Sequence, residues 1–553
     1  MSHDAAPQRE ARLSLPAAML NAAWVGAQSR AWLSFRRALR QPQAVQERRL
    51  SHYLRANAGS DFGRRYRFAD IRSCAQFQER VPLSSYENYA EAVSRMRAGA
   101  RNVLTSARVR CLQPSSGSTR AAKLIPYTAD LQAEFSRAVG PWVFDLARTT
   151  PRLLGGPAYW SITPAAAAQE AGTSGVAGGG TGAGTGAETP LGFESDSAYL
   201  GGWLRRLADG TLVACEDLKH AADIVEFRHR TLLRLMRAPE LRLISVWHPS
   251  FLTLLLDVLA ASWGELLADL ARGVPAAGRL RREPPRPRRA RELAQADPRR
   301  PRSIWPRLAL VSCWGDAQAA TLLAELHARL PGVAIQPKGL MATEAVVSLP
   351  FAGQHPLAIR SHFFEFIDKA GNARTAWQLE QDESYSVVVT TGGGLYRYQL
   401  RDRIRVTGFL HATPCIRFTG KEDSISDLRG EKLSEGLAAS ILSRLLPAHV
   451  PGARFALLAP ETEAATPGYV LFVESEAAPS AQLPAALESA LAANPNYAYC
   501  VRLGQLRPAA VERVAAGAAE RYLERLRASG QRLGNIKPVA LSPLAGWRAV
   551  FAA

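Results

Sequence analysis

Apolar residues recur at helical spacing between residues 18 and 56, at Leu20, Trp24, Trp32, Phe35 and Leu39, then at Leu50, Tyr53 and Leu54. That periodicity predicts a helical opening with one face turned to a core. A different pattern follows. Residues 158–162, 241–247 and 308–314 are short, nearly continuous apolar runs, as buried strands require. Each is followed by a helical stretch, among them 251–271 and 317–330. Strands alternating with helices predict crossover units, mainly parallel sheets and an α/β fold. A further strand is expected at Ser384–Thr390, and a hairpin or adjoining strand pair over 396–409. Between the patterned regions, residues 164–190 are almost entirely Ala, Gly and Thr. Such a segment buries too little apolar surface to offset its ordering entropy, so a flexible insertion is expected. Within it, Gly182-Ala183-Gly184-Thr185-Gly186 superficially looks like a nucleotide loop, but no apolar strand precedes it and no lysine accompanies it.

The chain has 553 residues, well beyond the ~250–300 at which one core usually divides. The expected division is a large N-terminal domain, 1–419, with flexible insertions near 164–190 and 275–302, and a small mobile C-terminal α/β domain, 420–553. The hinge falls within 418–427, and no internal repeat is visible.

Composition is that of an ordinary globular protein, 47% apolar and 21% charged. Cysteines stand at 74, 111, 215, 313, 415 and 500 with no Cys-x-x-Cys pair, which argues against a zinc site or a disulfide framework and fits a reducing cytosol. The first residues carry no apolar signal core, and the most membrane-like run, 251–263, is short and holds Asp257. A soluble cytoplasmic protein without a membrane partner is expected. The net charge of +19 raises the question of nucleic acid. Ten arginines fall between Arg279 and Arg302, but prolines interrupt any helix there and no aromatic residue is interleaved to stack a base. A solvated insertion loop, dispensable for activity and with no nucleic-acid partner, is the expectation.

Candidate chemistry begins at Ser115-Ser116-Gly117-Ser118-Thr119, followed by Lys123 and the strand-like Leu-Ile-Pro-Tyr-Thr. Small residues let backbone N–H groups approach an oxyanion, hydroxyls add donors, and the lysine offers a point charge for a terminal phosphate. The spacing is not that of a Walker A loop. Further along stand Lys338-Gly339-Leu340-Met341-Ala342-Thr343-Glu344 and Thr390-Thr391-Gly392-Gly393-Gly394-Leu395-Tyr396-Arg397-Tyr398-Gln399-Leu400-Arg401-Asp402. Phe418-Thr419-Gly420-Lys421-Glu422-Asp423, Leu428-Arg429-Gly430-Glu431-Lys432-Leu433 and Ile536-Lys537-Pro538 complete the series.

This order of motifs resembles the adenylate-forming superfamily, and within it a bacterial-type member of the auxin-responsive Gretchen Hagen family of acyl-acid amido synthetases. The resemblance extends from Asp61-Phe62-Gly63 and Arg80-Val81-Pro82-Leu83 through Trp305-Pro306-Arg307-Leu308 and Val311-Ser312-Cys313-Trp314-Gly315 to Lys537. It implies a ligase that activates a carboxylic acid with ATP and Mg²⁺ and passes the acyl group to an amino acid. Ser115, Ser116, Gly117, Ser118 and Thr119 would hold the β- and γ-phosphates with Lys123, Thr343 would contact the α-phosphate, and Glu344 would help hold Mg²⁺. Asp402 would accept from the ribose hydroxyls, and Lys537 would neutralise charge at the α-phosphate. Lys432 is a second phosphate contact or a solvated lysine, and Trp247-His248-Pro249 lines the acyl pocket or belongs to the core. Arg120, Arg401 and Arg429 depart from the family pattern, at the first two positions where glycine is usual. A monomer is expected. Two other classes stand beside this reading: thioester formation with coenzyme A after the same adenylation, and a non-catalytic binding protein tethered to acidic partners.

Overall fold

The computed structural model describes residues 15–115, 123–161, 210–213, 216–422, 425–429, 431–464, 466–529 and 538–552. The expected flexible insertion at 164–190 lies outside them. The helical opening comprises three helices, Leu15–Ala27, Ser29–Ala38 and Pro42–Asn57. Pro42 starts the third, where its missing N–H has no intrahelical partner to lose. Phe35, Leu39, Leu50, Tyr53 and Leu54 are buried, as their spacing requires. Buried Gln46 donates to the carbonyls of Ile359 and His362, each at 2.7 Å, and so ties the third helix to the middle of the chain.

Strands β1 (Val109–Ser115) and β2 (Lys123–Thr128) form an antiparallel hairpin in which Ser115 faces Lys123. Helix Ala129–Thr149 follows, capped by Thr128, whose hydroxyl accepts from Leu131 N at 3.1 Å. A parallel sheet then runs β3 (Ala158–Trp160), β4 (Leu243–Ser245), β5 (Leu310–Trp314), β6 (Ala334–Lys338), in that spatial order. Helix crossovers such as Ile224–Met236 and Pro249–Ala261 connect or cover it, as the alternation predicted. The helical stretch expected at 251–271 divides at Ser262 into Pro249–Ala261 and Trp263–Arg272, bent by 79°. No single helix among the described residues is long and apolar enough to cross a membrane, and Leu252, Leu255, Leu259, Leu266 and Leu270 of this pair are buried.

The arginine-rich segment differs from the loop expected of it. Residues 275–302 carry the bridge Ala277↔Leu280 and helix Pro287–Leu293, and Leu280, Ala290, Leu293 and Pro301 are buried. Arg289 donates to the carbonyls of Met236 (3.0 Å) and Ile304 (2.8 Å). Glu283 pairs inside with Arg234, which also holds Asp217. Four apolar anchors and two inward-turned charges, Glu283 and Arg289, dock a segment whose other arginines are exposed, a pattern that composition hides. Replacing 279–302 with a Gly/Ser linker is therefore expected to destabilise the protein. Cutting one partner from a buried ion pair alone costs about 3–5 kcal/mol, and thermal denaturation would read the loss.

The second sheet is antiparallel throughout. Strands β7 (Phe363–Ile367), β8 (Ala373–Thr375), β9 (Ser384–Thr390), β10 (Tyr398–Leu410) and β11 (Thr413–Lys421) lie in the order β11-β10-β9-β7-β8. Parallel pairing thus dominates only the first sheet. Connections as short as His411-Ala412 permit antiparallel neighbours alone. The hairpin expected over 396–409 is instead one long strand, β10, with its partners outside that range.

A two-stranded ladder, β12 (Ile425–Ser426) with β13 (Leu433–Ser434), precedes a three-stranded sheet of β14 (Phe455–Glu461), β15 (Gly468–Glu474) and β16 (Ala510–Val514). Both faces of the latter are covered, so β14 and β15 are buried along their whole length and read as nearly continuous apolar runs. Leu458, Leu471 and Val473 pack with Leu483 and Leu487 on one face, while Leu457, Val470 and Phe472 pack with Trp547 and Phe551 on the other.

Candidate active site

Asp402 sits where β10 is irregular. The register with β9 shifts between Gln399 and Arg403, and Arg401 adopts a left-handed φ of 57°. A side chain there costs about 1 kcal/mol relative to glycine. The bulge turns Asp402 inward, leaving it 3% exposed. Opposite it on β11, Lys421 places its ammonium 3.0 Å from Asp402 Oδ1. That oxygen is buried and receives no directed hydrogen bond among the described residues. Beside the Lys421 ammonium, the carboxylate keeps acceptor capacity for further donors, which suits the hydroxyls of a ribose.

Thr343 and Glu344 are the two central residues of a tight turn. Met341 bridges Val346, and Ala342 N donates to the carbonyl of Ala345 at 2.9 Å. Tyr127 of β2 reaches over this turn, its hydroxyl 3.4 Å from the Thr343 carbonyl. Glu344 is buried, and burial raises its carboxyl above the usual range. Lys421 and Lys123 oppose that rise and Asp402 adds to it. The turn, the bulge and the start of β2 therefore bring two carboxylates and two ammonium groups into one electrostatic cluster. Arg401 and Lys123 also act on Glu87, whose carboxyl is held low first by the Ser85 hydroxyl.

A buried network holds the turns in place. Glu134, inside helix Ala129–Thr149, accepts from Tyr53 Oη (2.7 Å) and from Gly392 N (3.0 Å), and pairs with His362 Nδ1 at 2.9 Å. His362 Nε2 accepts from Val346 N at 3.2 Å, which puts the ring proton on Nδ1, facing Glu134. Burial pushes Glu134 up, but His362, Tyr53 and the Gly392 N–H more than offset it, so its carboxyl lies below the usual range. Burial keeps His362 below its ordinary value, hence neutral. One carboxylate thereby fixes both the Gly392 turn and the strand that leaves the Thr343-Glu344 turn. Gly392 has to be glycine, because a Cβ would stand 2.7 Å from Glu134 Oε1. Nearby, buried Arg397 pairs with Glu365 at 3.1 Å and donates to the carbonyls of Gln78 and Val81, each at 2.7 Å. Neither Glu134 nor His362 carries a motif of its own, and their pairing was not legible in the sequence.

The other expected site residues divide. The Ser115 backbone ends β1, while Ser116, Gly117, Ser118, Thr119, Arg120 and Lys537 lie outside the described residues. Lys432 is exposed with a left-handed φ of 47° and makes no ion pair among the described residues. Its neighbour Glu431 is the buried one, accepting from Leu428 N and Arg429 N, each at 2.7 Å, and from the Tyr469 hydroxyl. Trp247 and His248 leave the end of β4. Trp247 packs on Trp314 with ring centres 5.6 Å apart, and His248 Nδ1 meets Ser250 Oγ at 2.7 Å, capping the next helix.

Models of the GH3 family's N-terminal, central and C-terminal domains match residues 33–335, 355–421 and 438–543. The chain belongs to the GH3 family. Asp402 and Lys421 lie within the central match. A rice (Oryza sativa subsp. japonica) relative, the probable indole-3-acetic acid-amido synthetase GH3.12, is 26% identical over 471 residues, 73% of each chain. A mouse (Mus musculus) GH3 domain-containing protein is 26% identical over 214 residues, covering 34% of this chain and 40% of its own. Among solved structures, GH3.15 acyl acid amido synthetase superposes with a TM-score of 0.77 at 16% identity, over 94% of this chain and 95% of that one. Its complex with 2,4-DB superposes at 0.79 with 17% identity, over 95% of each. The fold is thus the α/β architecture of this GH3 enzyme.

Proposed function

We propose that this protein is an ATP-dependent acyl-acid amido synthetase, a ligase that makes an acyl adenylate and then an amide. The observation that carries the reading is the convergence of Asp402, Lys421, Glu344 and Lys123 from four separated motifs of a GH3 chain. A carboxylate does not react with an amine at neutral pH because oxide is too poor a leaving group. Attack of a carboxylate oxygen on the α-phosphorus of ATP forms acyl-AMP and expels pyrophosphate. Attack of the amino group on the acyl carbon then forms the amide and expels AMP. The enzyme's task is orientation and charge stabilisation.

In this scheme Ser115, Ser116, Gly117, Ser118, Thr119 and Lys123 hold the β- and γ-phosphates, with Lys432 a further candidate. Thr343 meets the α-phosphate, Asp402 takes the ribose hydroxyls, and Lys537 neutralises the α-phosphate during adenylation. Glu344 fits Mg²⁺, being a buried carboxylate with a raised pKa and no cation within ion-pair distance among the described residues. Bound there, the ion would supply positive charge to the phosphate oxygens. The proposal extends to a C-terminal domain beginning near residue 420 that moves between half-reactions, and to a cytoplasmic monomer that binds neither nucleic acid nor membrane. Unpaired Cys74, Cys111, Cys313, Cys415 and Cys500 support a reducing compartment.

Incubation with ATP, a panel of carboxylic acids and amino acids should release pyrophosphate and AMP. ADP and inorganic phosphate as products would overturn adenylation, and turnover with coenzyme A but no amino acid would redirect the second step. Asp402→Ala should weaken ATP binding by about 1.5–3 kcal/mol, the scale of charge-assisted hydrogen bonds. An unchanged nucleotide affinity in the folded variant, measured by calorimetry, would remove Asp402 from the ribose site.

A further inference from the structure

The second and third helices, Ser29–Ala38 and Pro42–Asn57, border a pocket of about 410 Å³ that the ligase reading does not use. Arg37, Arg48, Arg49 and Arg360 line it, and no carboxylate does. None of the four makes an ion pair with a carboxylate among the described residues. Ser34, Gln41 and His52 add further donors to the wall. Gln41 immediately precedes helix Pro42–Asn57, so the positive end of a 16-residue helix borders the pocket as well.

The inner arginines are held in place before any ligand arrives. Arg49 Nη2 donates to the Arg360 carbonyl at 2.8 Å, and its guanidinium lies 5.9 Å from the centre of the Tyr53 ring. Arg360 Nη1 reaches the carbonyl of Ala31 at 3.4 Å. One residue fixes the two segments to each other. Gln46, a turn before Arg49, donates to the carbonyls of Ile359 and His362, which flank Arg360, and accepts from Phe364 N at 2.8 Å. The charge of this cluster is uncompensated. Burial, then Arg137 and Arg49, hold the Arg360 guanidinium below its usual range. Arg137 adds to the same field, and its Nε is buried with no hydrogen-bond partner among the described residues. Like charges gathered so closely repel, and an entering anion relieves that repulsion.

We propose that this pocket is a second ligand site, separate from the nucleotide site, and that it takes a small molecule bearing a diphosphate group. Guanidinium forks match phosphate oxygens in pairs, which is why arginine rather than lysine suits such a site. Four forks spread around one pocket exceed what a single tetrahedral phosphate can engage, whereas two linked phosphates present oxygens in several directions. The volume lies in the range of small-molecule sites, roughly 300–1,000 Å³, and leaves room for an organic group beside the diphosphate. A membrane or a nucleic acid would meet cations spread over an open face. Here Arg49 and Arg360 are half-buried and fixed inside a concavity.

The test titrates pyrophosphate into the full-length protein by calorimetry in magnesium-free buffer. Because pyrophosphate is also a product of the proposed ligase reaction, the titration is repeated in Lys123→Met, which removes the lysine assigned to the ATP phosphates. Wild type and Lys123→Met should both bind pyrophosphate, and about tenfold or more tightly than inorganic phosphate. The double variant Arg37→Gln/Arg48→Gln alters two exposed side chains with no hydrogen bond or ion pair among the described residues, so the fold is not at stake. It should weaken pyrophosphate on the order of 100-fold, the effect of two lost charge-assisted contacts. Isopentenyl diphosphate, which has no nucleoside, distinguishes the sources of the diphosphate. Binding at least as tight as that of pyrophosphate assigns the site to a diphosphate ester, and weaker binding assigns it to free pyrophosphate. Affinity that survives Arg37→Gln/Arg48→Gln, or that vanishes in Lys123→Met, places the anion elsewhere and overturns the proposal. Equal affinity for inorganic phosphate or for citrate overturns the diphosphate class. Tighter binding of single-stranded RNA or of phosphatidylserine vesicles, lost in the same double variant, makes the pocket part of a macromolecular surface and overturns it too.

Discussion

Lys537→Ala should slow acyl-AMP formation by about 10²–10³-fold, the loss that follows removal of one preorganised charge stabiliser. The same variant, supplied with synthetic acyl-AMP, should conjugate the amine at a near-normal rate. The asymmetry has a physical origin. Adenylation builds charge at the α-phosphorus as pyrophosphate departs, and a lysine delivered there is worth most at that moment. Amine attack sheds AMP and, in the proposed two-domain cycle, uses another domain orientation. Rapid-quench measurement of the two half-reactions decides the matter. Equal damage to both would place Lys537 in a fixed site or in the fold. No damage to either would shift the role to Lys432, which stands exposed beside the buried Glu431.

Glu134→Ala should be the most damaging substitution in the interior of the site. It strands the Tyr53 hydroxyl, the Nδ1–H of His362 and the N–H of Gly392 without an acceptor. Each buried donor left unmade costs about 1–3 kcal/mol, so the loss reaches several kcal/mol. Thermal denaturation should show a much lower melting temperature, and ATP binding should fail with it because the Gly392 turn and Val346 lose one shared anchor. Glu134→Gln retains an acceptor and should do less harm. The pH dependence has a definite sign. Both Glu134 and His362 are held below their ordinary pKa values in the folded protein, so the unfolded chain binds more protons. Their stabilisation is complete above about pH 6.5, the unfolded histidine value. It is lost as pH falls through the folded values. A wild type that melts at the same temperature at pH 7 and pH 4 would contradict this account, as would a Glu134→Ala variant of native stability.

Local pattern carried a good part of the chain. Apolar spacing located the opening helices, the runs that became β4 and β5, and β9 at Ser384–Thr390, because periodicity reports which face is buried regardless of partners. The motif order also located the residues that surround Asp402 and Glu344. Where charge masked packing, reading failed. Residues 275–302 look solvated by composition, yet Leu280, Ala290 and Leu293 dock them, since a few apolar anchors outweigh many outward arginines.

By itself, then, the sequence determined the α/β class and the family, and it singled out Lys123, Thr343, Glu344 and Asp402 as candidates, because motifs and periodicity depend on residues close together in the chain. Tertiary structure alone decided that β7–β11 form an antiparallel sheet, that Glu134 finds His362 and Gly392, and that Lys338 lies between Trp142 and Trp247. Each of these joins segments far apart in sequence, where no periodicity or spacing links the partners. The pairing is set by how the sheets and helix Ala129–Thr149 pack, and burial then turns an ordinary glutamate, histidine or lysine into a group with a shifted proton affinity.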